Sequence, residues 1–120
     1  MDGKRHGRAE RYATEAQIQQ AIVNYLQALG WYVIVTDAGE AARASRQRHR
    51  QGRMRPGTPD LVALKDGRGV LIEVKRPRGR LTARQKWEHD VAKSRGVPVL
   101  VARSVEDVER CLEEVERERM

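Results

Sequence analysis

The dipeptide Asp66-Gly67 lies between the β-type runs LVALK and RGVLIEVK, and no other sequence feature constrains the fold as strongly. Asp-Gly is favoured in two-residue type I′ turns, so the two runs are predicted to pair as an antiparallel hairpin. Continuing the register that this turn imposes places Asp60 opposite Glu73. Opposed side chains of an antiparallel pair share one face of the sheet, with Cβ atoms about 4.5 to 5.5 Å apart. The sequence therefore predicts two adjacent carboxylates.

Alternation along the second strand of the hairpin sorts its side chains into two faces. Val70, Ile72 and Val74 are predicted to point into the core. Glu73 and Lys75 point to the other side, where the opposed aspartate also lies. One face of the hairpin is thus expected to carry two acids and a lysine.

Two ionised carboxylates at such a range repel each other, because their ordinary pKa values lie near 4. A hard divalent cation between them removes the repulsion. Mg²⁺ takes oxygen ligands, whereas Zn²⁺ prefers His or Cys. The three histidines, His6, His49 and His89, show no ligand spacing. The pattern therefore favours Mg²⁺, which Mn²⁺ can replace, over zinc.

Capping boxes predict the starts of two helices. Thr14 and Gln17 begin the first, which Gly30 ends. Thr82 and Gln85 begin the second, which spans roughly residues 83–95 and has an apolar stripe formed by Trp87 and Val91. A last helix follows Ser104 and has the apolar stripe Val105, Val108, Leu112 and Val115, beside which Cys111 is expected to pack.

Two further β-type runs, residues 31–36 and 97–102, complete the predicted order α-β-β-β-α-β-α. Because proline has no N–H donor, Pro98 indicates that the second of these runs begins a strand there or lies at a sheet edge. With no Phe in the chain, the core is expected to consist of Val, Ile, Leu and Ala together with the Trp and Tyr residues. Residues 1–13 are predicted to be a flexible basic arm, residues 14–120 a single domain, and residues 37–57 a mobile loop.

The formal net charge of +7 is unevenly distributed. Residues 105–120 hold seven acidic residues and three Arg, so the positive charge is concentrated in residues 1–104. This distribution favours a polyanionic partner, and nucleic acid fits better than a membrane because no amphipathic membrane helix is evident. No apolar run approaches the roughly 18 residues of a membrane span, and the charged first residues do not resemble a signal peptide. We expect a soluble, cytoplasmic protein.

The segment GTPD at residues 57–60, followed by Glu73-Val74-Lys75, resembles the PD-(D/E)XK nuclease signature, in which a hairpin presents acid, acid and lysine to a phosphodiester. With Glu15 on the preceding helix and Gln85 at the start of the next, residues 14–104 resemble the VRR-NUC family of virus-type replication-repair nucleases. The resemblance implies an α/β fold with a restriction-endonuclease-like α-β-β-β-α-β core and a mixed central sheet, here extended by a C-terminal helix.

The resemblance also implies roles for individual residues. Asp60 and Glu73 would bind the metal together with the Val74 carbonyl, and Lys75 would support the nucleophile. Lys75 either orients the attacking water, stabilises the transition state or, if burial lowers its pKa, acts as a base. Glu15 and Gln85 would complete the site.

Both of these last two residues also have a structural interpretation. Glu15 follows the N-cap and lies near the apolar stripe of its helix, so it either complements the helix dipole or is a third carboxylate of the metal site. Gln85 either serves only as the N3 residue of its capping box or combines that role with one in the site.

Two basic tracts flank the hairpin. Residues 43–55 contain six Arg and no acid, and residues 76–84 contain four more Arg. Contact with DNA phosphates is the predicted role, and the alternative is a solvated charged loop. The arginines predicted to bind DNA are Arg46, Arg48, Arg50, Arg53, Arg55, Arg76, Arg78, Arg80 and Arg84.

The sequence thus predicts a metal-dependent DNA endonuclease. Stand-alone members of the resembled family act as homodimers on branched DNA, which implies a homodimer that resolves four-way (Holliday) junctions in DNA repair, in a nucleoid-associated, viral or prophage-encoded setting. Three alternatives remain open. The first is a module that binds DNA through the same basic tracts without cutting it, and the second is a sequence-specific restriction endonuclease on the same scaffold. The third, an RNA-directed nuclease or a purely structural partner protein, has no sequence feature in its favour.

Overall fold

The computed structural model describes residues 13–36 and 54–119, and within them seven helices and strands follow the predicted order. They are α1 Glu15–Ala28, β1 Tyr32–Val35, β2 Leu61–Lys65, β3 Arg68–Val74, α2 Ala83–Ser94, β4 Val99–Ala102 and α3 Val105–Arg119. The α/β fold class is therefore confirmed. The predicted arm lies almost wholly outside the described residues, and so does most of the predicted loop at residues 37–57.

The four strands form one mixed sheet in the order β1-β2-β3-β4. β1 and β2 pair antiparallel, as do β2 and β3, whereas β4 runs parallel to β3. Pro98 directly precedes β4 at the sheet edge, and its carbonyl accepts a hydrogen bond of 3.0 Å from the Leu71 N–H. A proline that lacks an N–H donor is tolerated there, as the sequence predicts.

The β2–β3 hairpin has the predicted register. Lys65 pairs with Arg68, and Leu61 pairs with Ile72. Both turn residues have positive φ, 52° at Asp66 and 75° at Gly67, as a type I′ turn requires. The pairing of the two strands brings the residues just beyond Leu61 and Ile72 to the same end of the hairpin.

Both predicted capping boxes are present. The Thr14 hydroxyl accepts a hydrogen bond from the Gln17 N–H, and the Gln17 side chain accepts one from the Thr14 N–H. Thr82 and Gln85 repeat this arrangement at the start of α2. These local hydrogen bonds satisfy N–H groups that have no partner within the helix, and they fix where Gln85 leaves the backbone.

The core lies on the face of the sheet that Val70, Ile72 and Val74 share, and each of the three is at most 2% exposed. Ile22 and Leu26 of α1 and Val108 of α3 belong to the same cluster. The rest of the stripe predicted on α3 packs against this cluster, as does Cys111. Aliphatic side chains from alternate strand positions thus meet one stripe on each of two helices.

The prediction that both Trp residues contribute to the core is wrong for Trp87. Trp87 is 53% exposed, and the buried side chains of α2 are those of Glu88 and His89. α2 packs on the sheet face opposite the core, which presents the Glu73 carboxylate, so its inward side is polar. The Arg84 guanidinium lies 4.7 Å from the centre of the Trp87 ring. Tyr32 is 67% exposed, so the aromatic contribution to the core is smaller than predicted.

None of the helices in the described ranges is long and apolar enough to cross a membrane.

Candidate metal and catalytic site

Asp60 directly precedes β2 and is 5% exposed. Its Oδ2 accepts a hydrogen bond of 2.8 Å from the Val74 N–H. The end of β1 holds the same segment, because the Thr36 hydroxyl donates to the carbonyls of Pro59 at 2.8 Å and Asp60 at 3.1 Å. The Thr36 N–H also donates to the Asp60 carbonyl at 2.9 Å. Asp60 is therefore positioned from two neighbouring strands.

Glu73 lies on β3 and is 2% exposed. Its carboxylate meets two side chains of α2. Gln85 Nε2 donates to Oε2 at 3.3 Å, and His89 Nε2 lies 3.0 Å from Oε1. Burial, followed by the Lys93 charge, lowers the pKa of His89. The imidazole is therefore neutral at pH 7, and its Nε2 accepts from a protonated Glu73 or donates to an ionised one, according to the tautomer.

The Asp60 and Glu73 carboxyls adjoin each other, as the hairpin register predicts. The pKa of Glu73 is raised to about 9, chiefly by burial and then by the charge of Asp60 and a hydrogen bond with it. The smaller effect of Lys75 opposes this shift. Without a cation, Glu73 therefore holds a proton at neutral pH. A divalent cation would take the place of that proton.

Lys75 and Glu15 lie near this pair. Lys75 directly follows β3, is half-buried, and has its N–H bonded to the Ala102 carbonyl at 3.0 Å. Its charge acts on both Glu73 and His89. Glu15 occupies the first turn of α1, is half-buried, and its charge contributes to the raised pKa of Glu73. The charges of the predicted acids and of the lysine therefore all act on the Glu73 carboxyl group.

Gln85 makes both contacts that the sequence analysis left as alternatives. Its Oε1 accepts a hydrogen bond of 2.9 Å from the Thr82 N–H and completes the capping box, while its Nε2 donates to Glu73. One amide thus links the start of α2 to the carboxylate on β3. The helix cap fixes the position from which Gln85 reaches the site.

The donor set suits a hard cation that keeps part of its water shell. No group of three His, Cys, Asp or Glu side chains in residues 13–36 and 54–119 is arranged to hold a metal ion. Mg²⁺ is commonly bound by one or two carboxylates, with water and substrate phosphate supplying the other ligands. The buried pair formed by Asp60 and Glu73, which would repel each other if both were ionised, fits that pattern. Glu15 therefore does not join Asp60 and Glu73 in such a group in this structure, and it stays a predicted ligand together with the Val74 carbonyl.

Five of the arginines predicted to bind DNA lie in the described residues. Arg76, Arg78 and Arg80 are exposed in the segment after Lys75. Arg55 and Arg84 both bind the Glu88 carboxylate, at 2.9 Å and 3.1 Å, although their side chains remain 70% and 49% exposed. The predicted DNA-binding residues outside the described ranges are Arg46, Arg48, Arg50 and Arg53.

Comparison with known families identifies the fold. The sequence model of the VRR-NUC domain family matches residues 9–106, which is most of the chain. The chain belongs to the VRR-NUC family. A solved VRR-NUC domain structure has 27% sequence identity and a TM-score of 0.63, and the match covers 84% of this chain and 97% of that one. Comparison with curated protein sequences gives no match. This VRR-NUC domain therefore has a nuclease-type fold.

Sequence reasoning missed two residues that contact the site in this VRR-NUC domain, Thr36 and His89, and also the buried Glu88 that precedes His89 on α2. Thr36 holds the segment before β2, and no local pattern indicates this. Glu88 and His89 follow Gln85 by three and four positions. Because residues at these spacings share one face of a helix, Gln85 itself was the signal that could have identified them.

Proposed function

We propose that this VRR-NUC protein is a metal-dependent endonuclease that hydrolyses DNA phosphodiester bonds with Mg²⁺, or with Mn²⁺ in its place. The observation that carries the proposal is that the register of β2 and β3 brings Asp60 and Glu73, each at most 5% exposed, to the same end of the hairpin, where their charges interact. Burying two acids side by side costs stability unless a proton or a cation neutralises them. A purely structural role does not explain why two such acids lie together beside Lys75.

Asp60 and Glu73 would hold the metal, with the Val74 carbonyl and Glu15 as further ligands. Mg²⁺ held there would polarise a phosphoryl oxygen of the substrate and lower the pKa of the attacking water. The hydrogen bonds that Glu73 makes with Gln85 and His89 would orient its carboxyl group. Partners of this kind tune the affinity of a metal ligand.

The Lys75 ammonium supplies a positive charge beside the two acids. Its charge lowers the pKa of Glu73 against the larger effects that raise it, so the ammonium group acts on the carboxyl group of Glu73. We propose that it orients the attacking water or stabilises the negative charge that develops on the phosphate.

The exposed arginines after Lys75 would bind the DNA backbone, as would the arginine-rich tract that ends at Arg55. Phosphate contacts position DNA without reading its sequence, and they make binding strongly dependent on salt. We propose branched DNA, such as a four-way junction, as the substrate and a homodimer as the active form. A two-fold dimer places two equivalent sites on such a symmetric substrate.

A cleavage assay on linear duplex, flap and four-way DNA tests the proposal. The wild-type chain should cut the four-way junction in Mg²⁺ and should not cut it in EDTA. Glu73→Gln and Asp60→Asn should abolish cleavage while leaving junction binding in Ca²⁺ intact. Glu106→Gln, which neutralises an exposed acid on α3, is the matched control and should cleave normally.

The alternatives give different results in the same assay. A module that only binds DNA would bind the junction and cut none of the substrates. A restriction endonuclease would cut linear duplex at one sequence and ignore the branch point. Loss of both binding and cleavage in Glu73→Gln would contradict the assigned role of that residue.

A further inference from the structure

The Glu88 carboxylate is buried on the inward side of α2, with its side chain only 4% exposed. It accepts two hydrogen bonds from Arg55, at 3.1 Å from Nε and 2.9 Å from Nη2. Arg84 Nη2 donates a third at 3.1 Å. The hydrogen bond and charge of Arg55 lower the pKa of Glu88 against its desolvation. Glu88 is therefore an ionised carboxylate held by two arginines.

The two arginines come from different parts of the chain. Arg84 belongs to α2 itself, whereas Arg55 begins the turn that leads into Asp60. Thr58 closes this turn, because its hydroxyl donates to the Arg55 carbonyl at 2.7 Å. Glu88 thus ties the segment that carries one proposed metal ligand to the helix that supports the other.

Close backbone packing supports the same connection. Arg84 Nε donates to the Pro56 carbonyl at 3.1 Å. Gly57 has a φ of +84°, and a Cβ at this position would lie 2.8 Å from the backbone oxygen of Arg84. Only glycine fits this backbone conformation and approach without strain. The turn at residues 55–59 therefore rests directly on the first turn of α2.

We propose that Glu88 is a positioning residue that sets the relation between the Asp60 and Glu73 carboxyls. α2 carries Gln85 and His89 to Glu73, while Glu88 on the same helix anchors the turn that carries Asp60. The catalytic meaning of this role rests on the proposed function. The effect of Glu88 on the arrangement of the two carboxyls can be tested without cleavage, through the affinity for a metal ion.

Three variants of the full chain test the proposal. Glu88→Gln keeps the shape of the side chain but removes its charge. Gly57→Ala disturbs the same turn without changing any charge. Asp90→Asn is the matched control, because it neutralises an exposed acid on the same helix.

Mn²⁺ binding is measured by titration calorimetry in the absence of DNA, and amide hydrogen exchange is measured across the chain. We expect Glu88→Gln and Gly57→Ala to weaken Mn²⁺ binding about tenfold, as changes to residues that orient metal ligands commonly do. Exchange should accelerate in residues 55–60 and remain unchanged in α3, because only the turn loses its anchor. The control should match the wild-type chain in both measurements.

In the cleavage assay, the Mg²⁺ concentration needed for half the maximal rate should rise by a similar factor, about tenfold, for the two turn variants. Unchanged Mn²⁺ affinity in Glu88→Gln would overturn the proposal, even if exchange at residues 55–60 accelerated, since Glu88 would then only stabilise the turn. Equal weakening in Asp90→Asn would also overturn it, because charge alone would explain the effect. If the wild-type chain bound Mn²⁺ but did not cut DNA, the proposed function would fail, and the binding constants would still decide the role of Glu88.

Discussion

The Glu73 carboxyl should make the stability of the metal-free protein fall as pH rises. Burial, then the adjoining Asp60, raises the pKa of Glu73 to about 9 from an ordinary value of 4.5. Between these two values the folded chain holds a proton that the unfolded chain has released. The stabilising contribution of the neutral carboxyl is therefore complete below pH 4.5 and is lost as the pH rises to about 9.

The size of this effect follows from the linkage between protons and folding. One proton retained only by the folded state lowers the free energy of unfolding by about 1.4 kcal/mol per pH unit. Between pH 7 and pH 8.5, we therefore expect a loss of about 2 kcal/mol. This window avoids the contribution of His89, whose pKa is lowered by burial and whose effect on stability has the opposite sign at lower pH.

Urea unfolding followed by circular dichroism in EDTA measures this loss. Glu73→Gln mimics the protonated carboxyl, so the variant should fold and should lack the Glu73 contribution to the pH dependence. Equal decreases in the unfolding free energy of wild type and Glu73→Gln between pH 7 and pH 8.5 would refute the argument. Mg²⁺ should stabilise the wild-type chain more at pH 8.5 than at pH 7, because the cation binds the ionised carboxylates.

Further predictions concern the supports of the site and the packing of α2. Thr36→Val should lower the free energy of unfolding by about 1 to 2 kcal/mol, because it removes the hydroxyl that donates to the Pro59 and Asp60 carbonyls; chemical denaturation checks this. Ile72→Ala should cost about 2 to 5 kcal/mol by the same measurement, since it opens a cavity in the core. Trp87→Ala should cost less than about 1 kcal/mol, because the side chain is 53% exposed; a cost equal to that of Ile72→Ala would contradict the exposed placement.

Local patterns predicted most of the fold correctly because the interactions behind them are local. The Asp66-Gly67 turn requires positive φ at both positions, and this requirement determines the register of the hairpin. The two capping boxes satisfy backbone N–H groups within one turn of helix, so they mark the starts of α1 and α2. From the hairpin register alone, the approach of Asp60 to Glu73 was predictable.

The tertiary structure decided which face of α2 is buried. Trp87 and Val91 form the more apolar side of that helix, and an apolar stripe ordinarily predicts the buried face. α2 instead packs on the sheet face that carries Glu73, where Gln85 and His89 satisfy the carboxylate. Helical periodicity cannot predict this outcome, because it depends on the polarity of the surface that the helix meets.

The sequence by itself determined the hairpin, the capped helices and the two acids beside Lys75, because each follows from backbone requirements over a few residues. Only the tertiary structure showed that Arg55 and Arg84 share the Glu88 carboxylate. Their positions in basic tracts indicate charge, but Arg55 lies 33 residues from Glu88 in the chain, so only tertiary packing brings these two side chains together. The supports of the candidate site therefore became visible only in the folded chain.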